Sequence, residues 1–204
     1  MSRDNSALDP RPLAAWWTRI RLAFSQRREA GSQIHFADDE YLIRTLEEND
    51  LAALEWDGAY ITFRRLFRQA YEEMRAGTRL LLVLEHKSSR EIIGQVFIQW
   101  NSSDMRLADG CERGYFYALR VKPQFQGRGL GTQLLRSAED ILRRRQMHIA
   151  SIGVEITNQR ARALYERLGY RLIGEDPGRW SYIDHRGKEC EVIEPAWLLE
   201  KRLD

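Results

Sequence analysis

Cysteine is scarce: Cys111 and Cys190 are the only two in 204 residues. Two thiols make no disulfide framework, so a reducing, cytoplasmic setting is the default expectation. No apolar run approaches the roughly 20 residues of a membrane span, and no apolar segment near Met1 has the pattern of a signal peptide. The four histidines stand apart, with no H-x-x-x-H or C-x-x-C spacing, so no metal site is readable. Neither sign of charge dominates. Lysine plus arginine number 32 against 30 acidic residues, a formal net charge of +2, which gives no basis for a nucleic-acid partner. The run Arg143-Arg144-Arg145 falls where a helix is expected to end, and cations are favoured there. Internal repeats and low-complexity tracts are absent as well.

What is present suits one soluble domain, or one domain with an appendage. Hydrophobic residues are 43% and charged residues 30%, ordinary values for a globular chain. Residues 1–32 read as the appendage, an amphipathic helix. Asp9 and Pro10 suit a helix start, and Leu13, Trp17, Ile20 and Phe24 follow as one apolar stripe. Arg19, Arg21, Arg27 and Arg28 lie mostly off that stripe, and Gly31-Ser32 would end the helix. A basic amphipathic helix binds a membrane surface or a partner, or covers its own domain or a twin's. The last is the expectation taken here: no membrane, and a possible homodimer.

From residue 33 onward, periodicity marks alternating elements. Tyr41–Leu46 reads as the first main strand, a short helix carries Leu51, Leu54 and Trp56, and a second helix spans Ile61–Arg75. Leu80–Leu84 and Ile92–Trp100 flank Lys87–Arg90 as a hairpin. Tyr115, Tyr117, Leu119 and Val121 alternate with their neighbours in a further strand, which Pro123 ends. After residue 170 come a strand at Arg171–Ile173, a turn at Glu175–Gly178, a hairpin of Trp180–Ile183 with Glu191–Ile193, and a last apolar stretch at Trp197–Leu199. The order β α α β β β α β α β β implies an α+β or mixed α/β single domain.

The chemistry concentrates between Gly114 and Tyr170. Gln126-Gly127-Arg128-Gly129-Leu130-Gly131-Thr132 precedes Leu134, Leu135, Ala138, Ile141 and Leu142 at helical spacing. Glycines at a helix start let unpaired N–H groups approach an anion, and the helix dipole favours one there. A Walker loop would need a lysine after the glycines, and a dinucleotide fingerprint would need a third glycine where Thr132 stands. Downstream, Ile152, Val154 and Ile156 alternate in a strand. Asn158 follows at its end, then Ala161, Leu164, Tyr165 and Leu168 on one helical face, with Gly169 as the stop.

Gln126-x-x-Gly129-x-Gly131, followed by Asn158 and Leu164-Tyr165-Glu166-Arg167-Leu168-Gly169-Tyr170, resembles the GNAT acyltransferase superfamily. The resemblance covers roughly residues 40–175. It implies a domain over residues 33–204 with a central mixed, mostly antiparallel sheet flanked by helices. It also implies acyl transfer from acetyl-CoA to an amine in a ternary complex. Gln126 through Thr132, with Arg128 helping to neutralise charge, would hold the pyrophosphate. Leu119 to Val121 would offer main-chain groups to the acyl and pantetheine parts, Val121 nearest the carbonyl. Asn158 would contact the cofactor arm, cap its helix, or do both. Tyr165 would protonate the departing thiolate, as a phenol of pKa near 10 can.

The general base is less determined. Some peptide N-terminal acetyltransferases of the superfamily carry a glutamate just before the strand valine, where this chain has Gly153. Glu155 lies on the far side of Val154, and one step along a strand reverses the face. Glu155 and Glu112 are candidates, and water relays are an alternative. The acceptor, a small-molecule or peptide amine, would sit among Trp56, Tyr60, Phe63, Arg64, Trp180, Tyr182 and Asp184. Two other readings compete with the enzyme: a non-catalytic acyl-CoA-binding module, and an interaction protein acting through its N-terminal helix.

Overall fold

The computed structural model describes residues 33–204; the helix expected over residues 1–32 lies outside the described residues. Ten strands, three α-helices and short 3-10 turns make up the domain. The strands are β1 (Ile34–Ala37), β2 (Tyr41–Thr45), β3 (Arg79–His86), β4 (Glu91–Gln99), β5 (Arg113–Val121), β6 (Ile149–Glu155), β7 (Arg171–Asp176), β8 (Arg179–Ile183), β9 (Glu189–Ile193) and β10 (Ala196–Arg202). The helices are α1 (Arg64–Arg75), α2 (Leu130–Arg144) and α3 (Gln159–Arg167). Eight strands form one sheet in the order β1-β2-β3-β4-β5-β6-β10-β7, and β8–β9 form a separate hairpin.

Every neighbouring pair is antiparallel except β5 and β6. A parallel pair needs a crossover, and α2 supplies it. One face of the sheet packs Leu82, Leu84, Ile98 and Phe116 against Leu130, Leu134, Ala138 and Leu142 of α2. The other packs Leu81, Val83 and Phe97 against Leu54 and, from α1, Phe67 and Ala70. Strand β3 thus buries both of its faces, which is why its sequence is a continuous apolar run.

Several elements depart from the sequence reading. Edge strand β1 went unread, and its four residues bury little. The first expected helix is a 3-10 helix over Glu48–Glu55, with Trp56 beyond it in the left-handed region at φ 47°. Arg44 anchors it by two hydrogen bonds to Asp50, 2.6 and 2.9 Å, and one of 2.8 Å to Glu85. The stretch at Trp197 belongs to a full strand, β10, inserted between β6 and β7. Strand β7 also runs on to Asp176, past the start of the expected turn. No described helix is long and apolar enough to cross a membrane.

The even alternation expected along β5 does not hold. Gln95 of β4 faces Arg120 and Phe97 faces Tyr117, so Ala118 and Leu119 together oppose Val96. This is a bulge, and Ala118 turns through it at φ 51°. On its other edge β5 pairs with β6 only from Arg113 to Phe116, opposite Ile149–Ile152. Past that point the two strands share no pairing, and the sheet opens at its centre.

Candidate active site

The opening between β5 and β6 continues as a cleft of about 530 Å³. Its floor is the end of β5, one wall is the glycine turn and the first turn of α2, and the other wall is α3. Leu119, Val121, Gln126, Gly127, Gly129, Leu130, Gly131, Thr132, Asn158 and Tyr165 all line it. Residues from two motifs more than twenty positions apart are therefore brought to one surface. Arg128 and Glu155 do not line it.

The glycine turn is open toward the cleft. Gly127 and Gly129 both have φ 80°, a conformation that costs other residues about 1–2 kcal/mol. A Cβ on either would meet no described residue within 4 Å, so neither glycine is there to avoid a clash with one of them. Gly129 is the N-cap of α2, and no side chain caps that end. The Gln126 side chain ties the turn to the strand, its Nε2 donating to the Val121 carbonyl at 2.8 Å, while Arg160 Nη1 donates to Gln126 Oε1 at 3.1 Å. Arg128 turns aside, donating to the Tyr41 hydroxyl at 3.2 Å, with its guanidinium 5.6 Å from the Phe125 ring centroid.

Asn158 Oδ1 accepts the Ala161 N–H at 3.1 Å and so caps α3. Tyr165 follows two turns later, 5% exposed, its ring 6.1 Å from that of Tyr170. Burial, then the nearby Tyr115, push its phenol above the ordinary value of 10. Tyr115 is itself pushed up to about 12, chiefly by burial and then by Asp176 and Tyr117. The Tyr115 hydroxyl would lie 2.9 Å from a Cβ on Gly153. A side chain at position 153 would therefore require the Tyr115 hydroxyl to shift.

The two candidate carboxylates lie elsewhere. Glu155 is exposed at the end of β6 and accepts the Thr157 hydroxyl at 2.6 Å. Glu112 precedes β5, at the end opposite the bulge, and its carbonyl accepts the N–H groups of His148 and Ile149. Of the expected acceptor residues, Trp56 and Tyr60 line the cleft. Phe63 links them to the hairpin, 6.3 Å from Tyr60 and 5.0 Å from Tyr182 between ring centroids, with Trp180 beside it at 6.4 Å. Arg64 is engaged by Glu55 at 2.6 and 2.8 Å. Asp184 Oδ1 accepts the backbone N–H groups of Arg186 and Lys188, holding the β8–β9 turn.

Sequence reasoning missed three arginines in the cleft lining: Arg120, Arg160 and Arg167. Arg160 and Arg167 are seven residues apart on α3, a spacing that places them on one helical face. Arg120 stands between two apolar residues at a strand end, which is a signal in itself. No aspartate or glutamate among the described residues lines the cleft. Among the described residues no group of metal-binding side chains occurs.

The profile of the Acetyltransferase (GNAT) family matches residues 33–170. Among curated proteins, the L-methionine sulfoximine/L-methionine sulfone acetyltransferase of Pseudomonas aeruginosa is 26% identical over 119 residues, 55% of this chain and 67% of that protein. The mycothiol acetyltransferase of Beutenbergia cavernae is 49% identical over 60 residues, 29% of this chain. That match spans only 20% of the mycothiol enzyme's own length. Among solved structures, yncA of Salmonella typhimurium with its cofactor acetyl-CoA superposes at a TM-score of 0.61 and 21% identity, covering 81% of this chain and 95% of that one. The ribosomal-protein-S18-alanine N-acetyltransferase of Escherichia coli does so at 0.58 and 20% identity, covering 80% and 94%. At such identities the likeness is one of fold.

Proposed function

Because this chain belongs to the acetyltransferase (GNAT) family, we propose that it moves an acetyl group from acetyl-CoA to an amine by direct attack in a ternary complex. The observation that carries this reading is the meeting, in one cleft, of an uncapped glycine turn, a strand end freed from its neighbour and a buried tyrosine. The N–H groups at the start of α2 hold the pyrophosphate, helped by Arg160 and Arg167. The freed edge of β5 from Leu119 to Val121 holds the pantetheine arm and the acyl group.

In the reaction the amine nitrogen bonds to the thioester carbonyl carbon and the carbon–sulfur bond breaks. The amine gives up a proton, and the departing thiolate takes one from the Tyr165 hydroxyl, which solvent then restores. With no carboxylate among the described residues of the cleft lining, the amine's proton leaves through water, and Glu155 stays the candidate base at the exposed end of β6. A donor aimed where charge develops stabilises the reaction more than the ground state.

The test is incubation with acetyl-CoA and a panel of amines, following free-thiol release and the mass of the acetylated product. Stoichiometric thiol and acetyl-amine are expected. Acetyl-CoA binding without turnover on any amine would leave a binding module in place of the enzyme, and absence of acetyl-CoA binding would end the reading altogether.

A further inference from the structure

Resting on that acetyl-transfer reading, we propose that the acceptor is a small amine carrying a carboxylate close to its nitrogen, and that Arg120 is the residue that recognises the carboxylate. Arg120 belongs to the bulged end of β5 and lines the cleft beside Trp56 and Tyr60. Its guanidinium lies 4.0 Å from the Tyr60 ring centroid and 6.0 Å from that of Phe67. Stacking on rings orients a guanidinium plane but leaves its edge donors to be satisfied by something else. Among the described residues, buried Nη1 has no hydrogen-bond partner and no carboxylate pairs with the group. Burial pulls its pKa below the ordinary value, and electrostatic attraction to, then a hydrogen bond with, the Tyr60 hydroxyl oppose that pull.

A partly buried cation without an anion is costly to keep. The surroundings offer it little. Gln95, its partner across the β4–β5 ladder, is fully buried, and neither amide atom has a partner among the described residues. Trp56 Nε1 is likewise buried with no acceptor among the described residues. Among the described residues the cleft lining holds three arginines and no acidic side chain. A polyamine or another multiply charged cation finds no counter-charge there. A carboxylate finds a guanidinium whose planar fork matches it. Because Arg120 sits within the segment proposed to hold the acyl group, the carboxylate must be only a few bonds from the attacking nitrogen. That describes an amino acid better than a long-chain amine.

The experiment compares L-alanine with L-alaninamide and L-phenylalanine with L-phenylalaninamide as acceptors, in the wild type and in Arg120→Gln and Arg120→Met. The wild type is expected to favour each acid over its amide in kcat/KM. Each variant should shrink the acid-to-amide ratio by roughly 10–100-fold, the worth of a charge-assisted hydrogen bond, chiefly through a higher KM for the acid. Taking the ratio across proteins cancels the different basicities of acid and amide. Binding of the same four compounds to the protein with CoA present gives the same ordering without turnover. An amide used as well as its acid by the wild type overturns the proposal, as does a ratio unmoved by either variant. Loss of fold in both variants overturns it too, because the guanidinium would then serve the core. If amines are acetylated with no preference for acids, this inference fails while acetyl transfer stands. If acetyl-CoA does not bind, both fail.

Discussion

The two helices that wall the cleft begin in opposite ways. At α3 the chain closes its own end: Asn158 accepts the Ala161 N–H, and one of the unpaired donors of the first turn is satisfied. At α2 the chain leaves the end bare, with Gly129 as N-cap, no capping side chain, and open space where side chains would stand. Glycine at an N-cap costs only a few tenths of a kcal/mol against asparagine. A free helix start attracts an anion by about 0.3–1 kcal/mol, and by up to about 2 kcal/mol in a partly buried setting. The small structural loss is thus outweighed once a phosphate arrives. The contrast separates an end built to be stable from an end built to be filled.

Closing the open end should have the largest effect. Gly129→Glu adds a carboxylate where the proposal places pyrophosphate and forces a side chain into the left-handed region. Acetyl-CoA affinity measured by calorimetry is expected to fall by more than about 100-fold, two charge-assisted contacts being lost and a repulsion gained. Gly129→Ala brings the backbone strain without the charge and should lose much less. Equal affinities for Gly129→Glu and wild type would show that the bare end is an ordinary strand–helix turn.

The next effect lies on the capped helix, at Tyr165. Tyr165→Phe keeps the ring against Tyr170 and removes the donor. Since a thiolate is already a fair leaving group, kcat should drop by about 10–100-fold, the low end of general-acid catalysis, with acetyl-CoA affinity nearly intact. The sign of its pKa shift makes a second check. Burial raises the phenol above 10, so the proton is held throughout the neutral and mildly alkaline range. In the wild type kcat should therefore show no alkaline decline below pH 10 that disappears in Tyr165→Phe. A wild-type rate from Tyr165→Phe would make the tyrosine structural.

Both helix starts were legible because their signals are local. Glycines followed by leucines at helical spacing, and an asparagine before an apolar face, are contiguous in the chain. Other features were not. Strand β10 joins the sheet between β6 and β7, a pairing set by distant partners. Strand β1 is four residues at an edge, too short for periodicity to register. The bulge was hidden because alanine gives no sign of a left-handed backbone at residue 118, and with it went the correct facing of Arg120. Gly153 could be seen to break the expected pattern, but the hydroxyl that a side chain there would meet, that of Tyr115, comes from a neighbouring strand.

The smallest effects sharpen the comparison most, at Asn158. Its Oδ1 is committed to the cap, while its amide N–H₂ has no protein acceptor among the described residues and the residue lines the cleft. Two substitutions divide these parts. Asn158→Ala removes both, and should cost about 1 kcal/mol of stability, roughly 2–4 °C in Tm for a domain of this size. Asn158→Asp keeps an acceptor for the Ala161 N–H, and a negative charge at a helix start is favoured by the dipole, so Tm should hold or rise slightly. The aspartate can no longer donate, and it faces a ligand that is itself anionic. Acetyl-CoA affinity should then fall several-fold in Asn158→Asp although the fold is unharmed, the loss of about 1 kcal/mol that one hydrogen bond is worth. If affinity stays level in Asn158→Asp while Tm drops in Asn158→Ala, Asn158 is a cap and nothing more. A fall in affinity without a fall in stability would mean that the closed helix end, like the open one, also meets the ligand.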